Sequence, residues 1–311
     1  MKKWIMICML MMVMVFSGCS NAEPQQKENK TPQTTQEKEE IQAVTSFYPI
    51  YILALNVTDG VENVKLTNLT GSQTGCLHDY QLTTDNMKTL RETDLLMING
   101  IGMEGFLDKV IEENPSLEVL DTSEGAFLLE AKEAKGDEDD HGKYNSHIWL
   151  SIPNAVKQAE NIRDAFCRLD PDNEEQYKKN TEEFANAMKE LTDQMKNIDL
   201  TKKQNAAIFH QGFEYFSSDF GFDVAFRIDA DEDTTPSAKE VKEAVEKAKE
   251  QNISVFFAAD DIGKQFADTI AEETGAKVYI LDPITSGENK KDAYEKAMQN
   301  NIRILKEALD K

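Results

Sequence analysis

Two similar α/β lobes, each on a mostly parallel sheet and joined by one long rigid helix, are what this sequence predicts. Three observations carry that expectation. From Ile41 onward, short apolar runs alternate with helical stretches, the pattern of a mostly parallel sheet. The same alternation returns from Ala206 to the C-terminus. Between the two halves, residues 172–198 contain neither Pro nor Gly and carry Tyr177, Phe184, Met188, Leu191, Met195 and Ile198 at spacings of 7, 4, 3, 4 and 3, all on one helical face. At 311 residues and 40% apolar content, the chain suffices for two domains with a real core.

The elements follow in order. Lys2 and Lys3 precede an unbroken apolar run from Trp4 to Phe16. A membrane-spanning helix needs about 20 such residues, so this run reads as an export signal over residues 1–18. Phe16-Ser17-Gly18-Cys19 resembles a bacterial lipobox, which makes Cys19 the lipidated mature N-terminus. Residues 20–40, rich in Gln, Glu, Lys and Thr, read with Cys19 as a solvated tether over residues 19–40.

The first lobe is expected at 41–171. Its strands are 43–47, 64–69, 95–98 and 117–120, and its helices are 49–56, 84–93, 105–114 and 153–168, with Pro49 suited to a first helical turn. The linking helix is placed at 172–200; its 27 residues from 172 to 198 would span about 40 Å. A continuous helix is a stiff connector, so large lobe closure is not expected. The second lobe, 201–311, has strands at 206–209, 223–228, 253–257 and 277–281. Ser237-Ala238-Lys239-Glu240 is a capping box opening a helix to about Gln251, and Gly275 stops a helix over 261–274. The last helix is expected at 290–309.

Composition narrows the function. Lys plus Arg number 34 against 57 Asp plus Glu, a net charge of −23 that repels phosphate backbones and disfavours nucleic acid or polybasic membrane binding. Of the four Cys, Cys8 leaves with the signal and Cys19 carries lipid. Cys76 and Cys167 remain, and outside the cytoplasm two thiols favour a disulfide.

The chain has four His: His78, His141, His147 and His210. His78, His147 and His210 stand in strand-end loops contributed by both halves, and Asp282 directly follows the 277–281 strand. In open α/β sheets, ligands collect beyond the carboxyl ends of strands. Three imidazoles and one carboxylate make a four-coordinate N3O set, and imidazole-rich sets suit zinc better than manganese.

With these residues in view, the chain resembles the solute-binding lipoproteins of bacterial zinc and manganese ABC importers over nearly all of 41–311. Ser46-Phe47-Tyr48-Pro49-Ile50-Tyr51 is similar to the family's opening strand and turn, and His78-Asp79-Tyr80 to its first ligand motif. Residues 94–100 with Gly102, Glu104 and Gly105 resemble the following strand and its glycines. His147-Ile148-Trp149-Leu150 resembles the second ligand motif, His210 with Phe213, Tyr215 and Phe216 the third, and Glu272-Glu273-Thr274-Gly275-Ala276 through Leu281-Asp282-Pro283 the region of the fourth.

The resemblance implies one metal in the cleft between lobes, held by His78 and His147 from the first and His210 and Asp282 from the second. It implies zinc over manganese, because His at the third position goes with zinc-type members. It further implies a monomer anchored by lipid on the extracytoplasmic face of the cell membrane, delivering its cation to an ABC permease and its ATPase subunits.

Two departures stand out. Leu77 and Cys76 occupy the stretch where the family commonly has a Pro, which makes Cys76 an alternative zinc-site thiol instead of a disulfide partner. The segment 136–145 offers Asp137, Glu138, Asp139, Asp140 and His141, read either as a solvated acidic loop or as accessory cation capture. The competing functions are a hydrolase with a three-His zinc and bound water, and a surface adhesin. No His-Glu-x-x-His or Gly-x-Ser-x-Gly motif supports the hydrolase.

Overall fold

The computed structural model describes residues 40–71, 77, 80–131, 143–196, 205–228 and 237–309. The apolar run 4–16, Cys19 and the segment expected to be a tether before Glu40 lie outside these residues. Among the described residues, no helix is long and apolar enough to cross a membrane.

The first sheet contains β1 (Ile41–Thr45), β2 (Val64–Asn68), β3 (Leu95–Ile98) and β4 (Glu118–Asp121), all parallel in the order β2-β1-β3-β4. The second contains β5 (Ala206–Ile208), β6 (Val224–Arg227), β7 (Val255–Ala258) and β8 (Lys277–Ile280), parallel in the matching order β6-β5-β7-β8. Sequence pattern follows position in the sheet. The inner strand β7 reads Val-Phe-Phe-Ala and is buried throughout, whereas edge strand β8 begins with an exposed Lys277. A parallel strand covered on both faces needs a continuous apolar run, and an edge strand does not.

In the first half, helices α1 (Tyr48–Val57), α2 (Thr84–Arg91) and α3 (Asp108–Glu113) connect the strands. Next come α4 (Ile152–Leu169) and α5 (Glu174–Met195), then α6 (Phe213–Phe220), α7 (Ala238–Glu250), α8 (Asp261–Thr274) and α9 (Ala293–Leu309) in the second half. The Ser237 and Glu240 capping box forms as expected, and Gly275 ends α8 at φ 75°. Helix α6 was not anticipated. Its Phe-Glu-Tyr-Phe-Ser-Ser-Asp-Phe sequence is rich in aromatics with modest helix propensity, and it is stopped by Gly221 at φ 73°.

The linking helix α5 has 22 α-helical residues, about 33 Å long, after a 3-10 turn at Pro171–Asn173. It begins at Glu174 instead of 172 because Pro171 opens a tighter turn, and it ends at Met195; Ile198 lies outside the described residues. Tyr177, Phe184, Met188, Leu191 and Met195 are buried on one face, which packs on α1 and α4 from the first half and on α9 from the second. Tyr177 stacks on Phe166 at 5.3 Å, and Phe184 meets Tyr294 edge-on at 5.8 Å. Helix α9 therefore runs beside α5 as a second element tying the lobes. The chain entering it is pinned to α1, where Tyr48 Oη donates to Glu288 O at 2.8 Å and Asn56 Nδ2 to Lys291 O at 2.7 Å.

Candidate metal centre

His147 is fully buried at the start of a 3-10 turn, Ile148–Leu150, whose three side chains are also completely buried. This apolar plug drives the segment between the lobes. Trp149 meets Phe47 edge-on at 5.1 Å and donates from Nε1 to Pro283 O at 2.9 Å, and the Tyr294 hydroxyl donates to Trp149 O at 2.7 Å. Helix α4 starts directly after the plug. Asp219 of α6 accepts there from Ser151 Oγ at 3.2 Å and Ile152 N at 2.9 Å, a carboxylate from the second lobe on a helix N-terminus of the first. Burial pushes the Asp219 carboxyl up to about 6, partly offset by those two donors.

His210 follows β5 and Phe209 and is half-buried. Its ring lies 4.8 Å from that of His147 at 87°, so the structure brings together two of the expected imidazoles, one from each lobe. Gly212 permits this approach. A Cβ there would stand 2.6 Å from Leu150 Cδ1, 3.0 Å from His210 Nδ1 and 3.1 Å from His147 Cβ. The backbone N–H of Gly212 also donates to His210 Nδ1 at 3.1 Å.

Asp282 follows β8 and Leu281, with its Oδ1 accepting from Ile284 N at 2.7 Å. Asn301, wholly buried in α9, grips the Asp282 peptide at both ends: Oδ1 accepts from Asp282 N and Nδ2 donates to Asp282 O, each at 2.8 Å. Burial raises the Asp282 carboxyl above its usual range. Together with Glu288, Asp282 adds to the burial that lifts the Tyr48 phenol to about 12.

His78, Asp79, Cys76 and His141 lie outside the described residues. The neighbours of the first motif are anchored: Leu77 is buried, and Tyr80 donates from its hydroxyl to Asn86 Oδ1 at 2.9 Å. Among the described residues, no three His, Cys, Asp or Glu side chains are gathered so as to hold a metal ion. Cys167 carries a free thiol, its sulfur 4.0 Å from Glu174 O, so the expected pairing with Cys76 is not seen there.

Sequence reasoning left the ring partners of the imidazoles unidentified, and among the described residues the structure supplies one for His147. Asn145 Oδ1 accepts from His147 N at 3.1 Å and lies 3.0 Å from His147 Nδ1. Behind the same segment, Glu104 is a buried hub. It accepts from Ser46 Oγ and Asn99 N at 2.7 Å and from Gly100 N at 3.0 Å, joining the ends of β1 and β3. Asn99 Nδ2 then donates to Ser146 O at 2.9 Å, next to His147. Burial pushes the Glu104 carboxyl up to about 7 against those three donors. Gly100, at φ 86°, lies so near Asp121 that any side chain would collide with its carboxylate. Asn99 and Gly100 fall inside a motif the sequence reading singled out, but their hydrogen bonds carried no sequence signal.

The donors have a definite chemistry. Neutral imidazole suits borderline divalent metals, and a carboxylate adds a hard oxygen and a negative charge.

A family model described as zinc-uptake complex component A, periplasmic (ZnuA), matches residues 43–308. The zinc-binding lipoprotein AdcA of Streptococcus pneumoniae (strain ATCC BAA-255 / R6) is 24% identical over 287 residues, covering 87% of this chain and 56% of that protein. This chain thus spans about half of that relative's length. The manganese ABC transporter substrate-binding lipoprotein PsaA of Streptococcus mitis is 29% identical over 253 residues, 75% of this chain and 79% of that one. Among solved structures, FpvC of Pseudomonas aeruginosa in complex with Ni2+ superposes with a TM-score of 0.75 at 23% identity, covering 87% of this chain and 97% of that one, a likeness of fold. A match running from β1 into α9 embraces both sheets and both imidazole-bearing segments, and the chain belongs to the family of zinc-uptake complex component A.

Proposed function

We propose that this protein is the extracytoplasmic metal-capturing component of an ABC importer, taking up one divalent cation and handing it to a membrane permease. The observation that carries this is the meeting across the lobes of His147, at the head of the Ile148–Leu150 turn, and His210, just past the carboxyl end of β5. The proposed ligands are His78 and His147 from the first lobe and His210 and Asp282 from the second. Zinc is the proposed cargo, with manganese second, because three of these four donors are imidazoles. The names of AdcA and PsaA support a choice between these two metals.

The same proposal includes cleavage before Cys19, lipid anchoring at that residue, a tether to residue 40, and lobes at 41–171 and 201–311 around the linking helix. A set of four protein ligands suits retention and release, whereas a catalytic zinc keeps a position open for water. Ligating His must be neutral, so affinity falls as pH drops below about 6.5.

The test is calorimetric titration of the chelator-stripped chain from Cys19 onward with zinc and then manganese, with elemental analysis of the product. One tightly held zinc that excess manganese does not displace is the expected result. No tight zinc, or displacement by manganese, contradicts the proposal.

A further inference from the structure

The hydrogen bonds of Asn145 fix more than a side-chain position. Its Nδ2 faces the backbone carbonyl of Gln211 at 2.9 Å, which can only accept, with Glu214 Oε2 at 3.4 Å beside it. Its Oδ1 faces the backbone N–H of His147, which can only donate. The polarity of these partners settles which end of the amide is oxygen. The atom 3.0 Å from His147 Nδ1 is therefore an acceptor, and Nδ1 must carry the proton. A neutral His147 then has its lone pair on Nε2.

The amide is itself held from the second lobe. Glu214 and Gln211 belong to the segment that begins at His210. Glu214 Oε1 stands 3.5 Å from Arg227 Nη1, with Glu214 only 7% and Arg227 only 11% exposed. The Tyr215 hydroxyl donates to Asn145 O at 2.7 Å while accepting from Leu129 N at 3.1 Å. A chain of contacts thus runs from Arg227 on β6 through Glu214 and Asn145 to the His147 ring. His210 has the opposite arrangement, because its Nδ1 accepts from Gly212 N–H and its neutral form carries the proton on Nε2.

We infer that Asn145 is a positioning residue of the centre: it holds His147 as the Nδ1–H tautomer, the form that ligates through Nε2, and its grip on Gln211 and Glu214 ties that tautomer to the second lobe. The inference rests on reading His147 as a metal ligand. A ligating His commonly donates its other ring N–H to a carbonyl or carboxylate, and loss of that partner costs about 10–100-fold in affinity. Here a side-chain amide takes that place. It can donate to the facing lobe as well as accept from the ring, which a carboxylate cannot do.

The test is a long-range proton–nitrogen correlation on the full apo chain labelled at histidine, at pH 8, with the His147 signals assigned by their loss in His147→Gln. The wild-type His147 ring is expected as Nδ1–H. In Asn145→Ala it should become a tautomer mixture, with zinc affinity about 10–100-fold weaker. Asn145→Asp keeps an acceptor opposite Nδ1 and should keep the tautomer, while losing the bond to Gln211 O.

A wild-type His147 ring protonated on Nε2 overturns the inference, and needs no variant to fold. So does an Asn145→Ala ring that stays Nδ1–H with zinc binding unchanged. An Nδ1–H ring in a wild-type protein that takes up no zinc overturns the metal reading instead.

Discussion

The two imidazole-bearing segments of this molecule are built by opposite means. His147 sits in a fully buried turn, behind an Ile-Trp-Leu plug, with Asn145 on its Nδ1 and a Glu104–Asn99–Ser146 chain behind its backbone. His210 stands half-buried at the end of a three-residue strand, and its Nδ1 takes a backbone N–H from Gly212. The first ring is held with its proton on Nδ1, the tautomer that the proposed binding through Nε2 requires. Under the same proposal the second would exchange its tautomer to bind through Nε2, or release Gly212 N–H to bind through Nδ1. One lobe thus holds its imidazole rigidly and the other leaves its imidazole adjustable, a difference that suits the proposed capture and release of a cation.

The sharpest way to break this comparison is Gly212→Ala. The added methyl would stand 2.6 Å from Leu150 Cδ1 and 3.0–3.1 Å from His210 and His147, so the buried Leu150 side chain must shift and both histidines are crowded. Overpacking of this kind costs about 1–3 kcal/mol. If that strain falls on the metal-bound arrangement, zinc affinity drops by roughly tenfold for each 1.4 kcal/mol. Zinc titration of the folded variant checks this, and unaltered affinity would mean that the lobes do not need this contact.

A smaller effect isolates the rigid half. Burial raises Glu104 from 4.5 to about 7, so the folded state keeps its proton where the unfolded chain has lost it. The resulting stabilisation is fully present below about pH 4.5 and is lost as pH rises through about 7. Glu104→Gln removes this dependence, at a cost of about 1–3 kcal/mol from placing an amide donor opposite a backbone N–H. Thermal midpoints of the two proteins should therefore converge as pH rises from about 4.5 to 7. Parallel profiles would show that Glu104 does not titrate in that range.

Much of the fold was legible because strands and helices here obey their own periodicities. The continuous apolar run of β7, the Ser237 capping box and Gly275 at the end of α8 each announce one element. The approach of His147 to His210 was expected from their strand-end positions. What escaped was everything set by polar contacts between distant segments. Asn301 reads as one more polar residue on a helix, yet it clamps Asp282 across 19 positions. Asn145 lies in a stretch that reads as an acidic loop, and its partners at Gln211 and Glu214 are more than 60 residues away. Such pairs leave no periodic trace in one sequence. Helix α6 was missed because its aromatics suggested a binding motif rather than a helix face.

The most direct test of a two-lobed centre is X-ray absorption at the zinc edge of the loaded protein, in the wild type and in His147→Ala and His210→Ala. The account predicts nitrogen and oxygen neighbours at about 2.0–2.1 Å with three imidazoles in the wild type. Each variant should lose one imidazole from whatever zinc it retains. A wild-type spectrum with fewer than two imidazoles, or an unchanged spectrum in either variant, would contradict the claim that both lobes hold the metal.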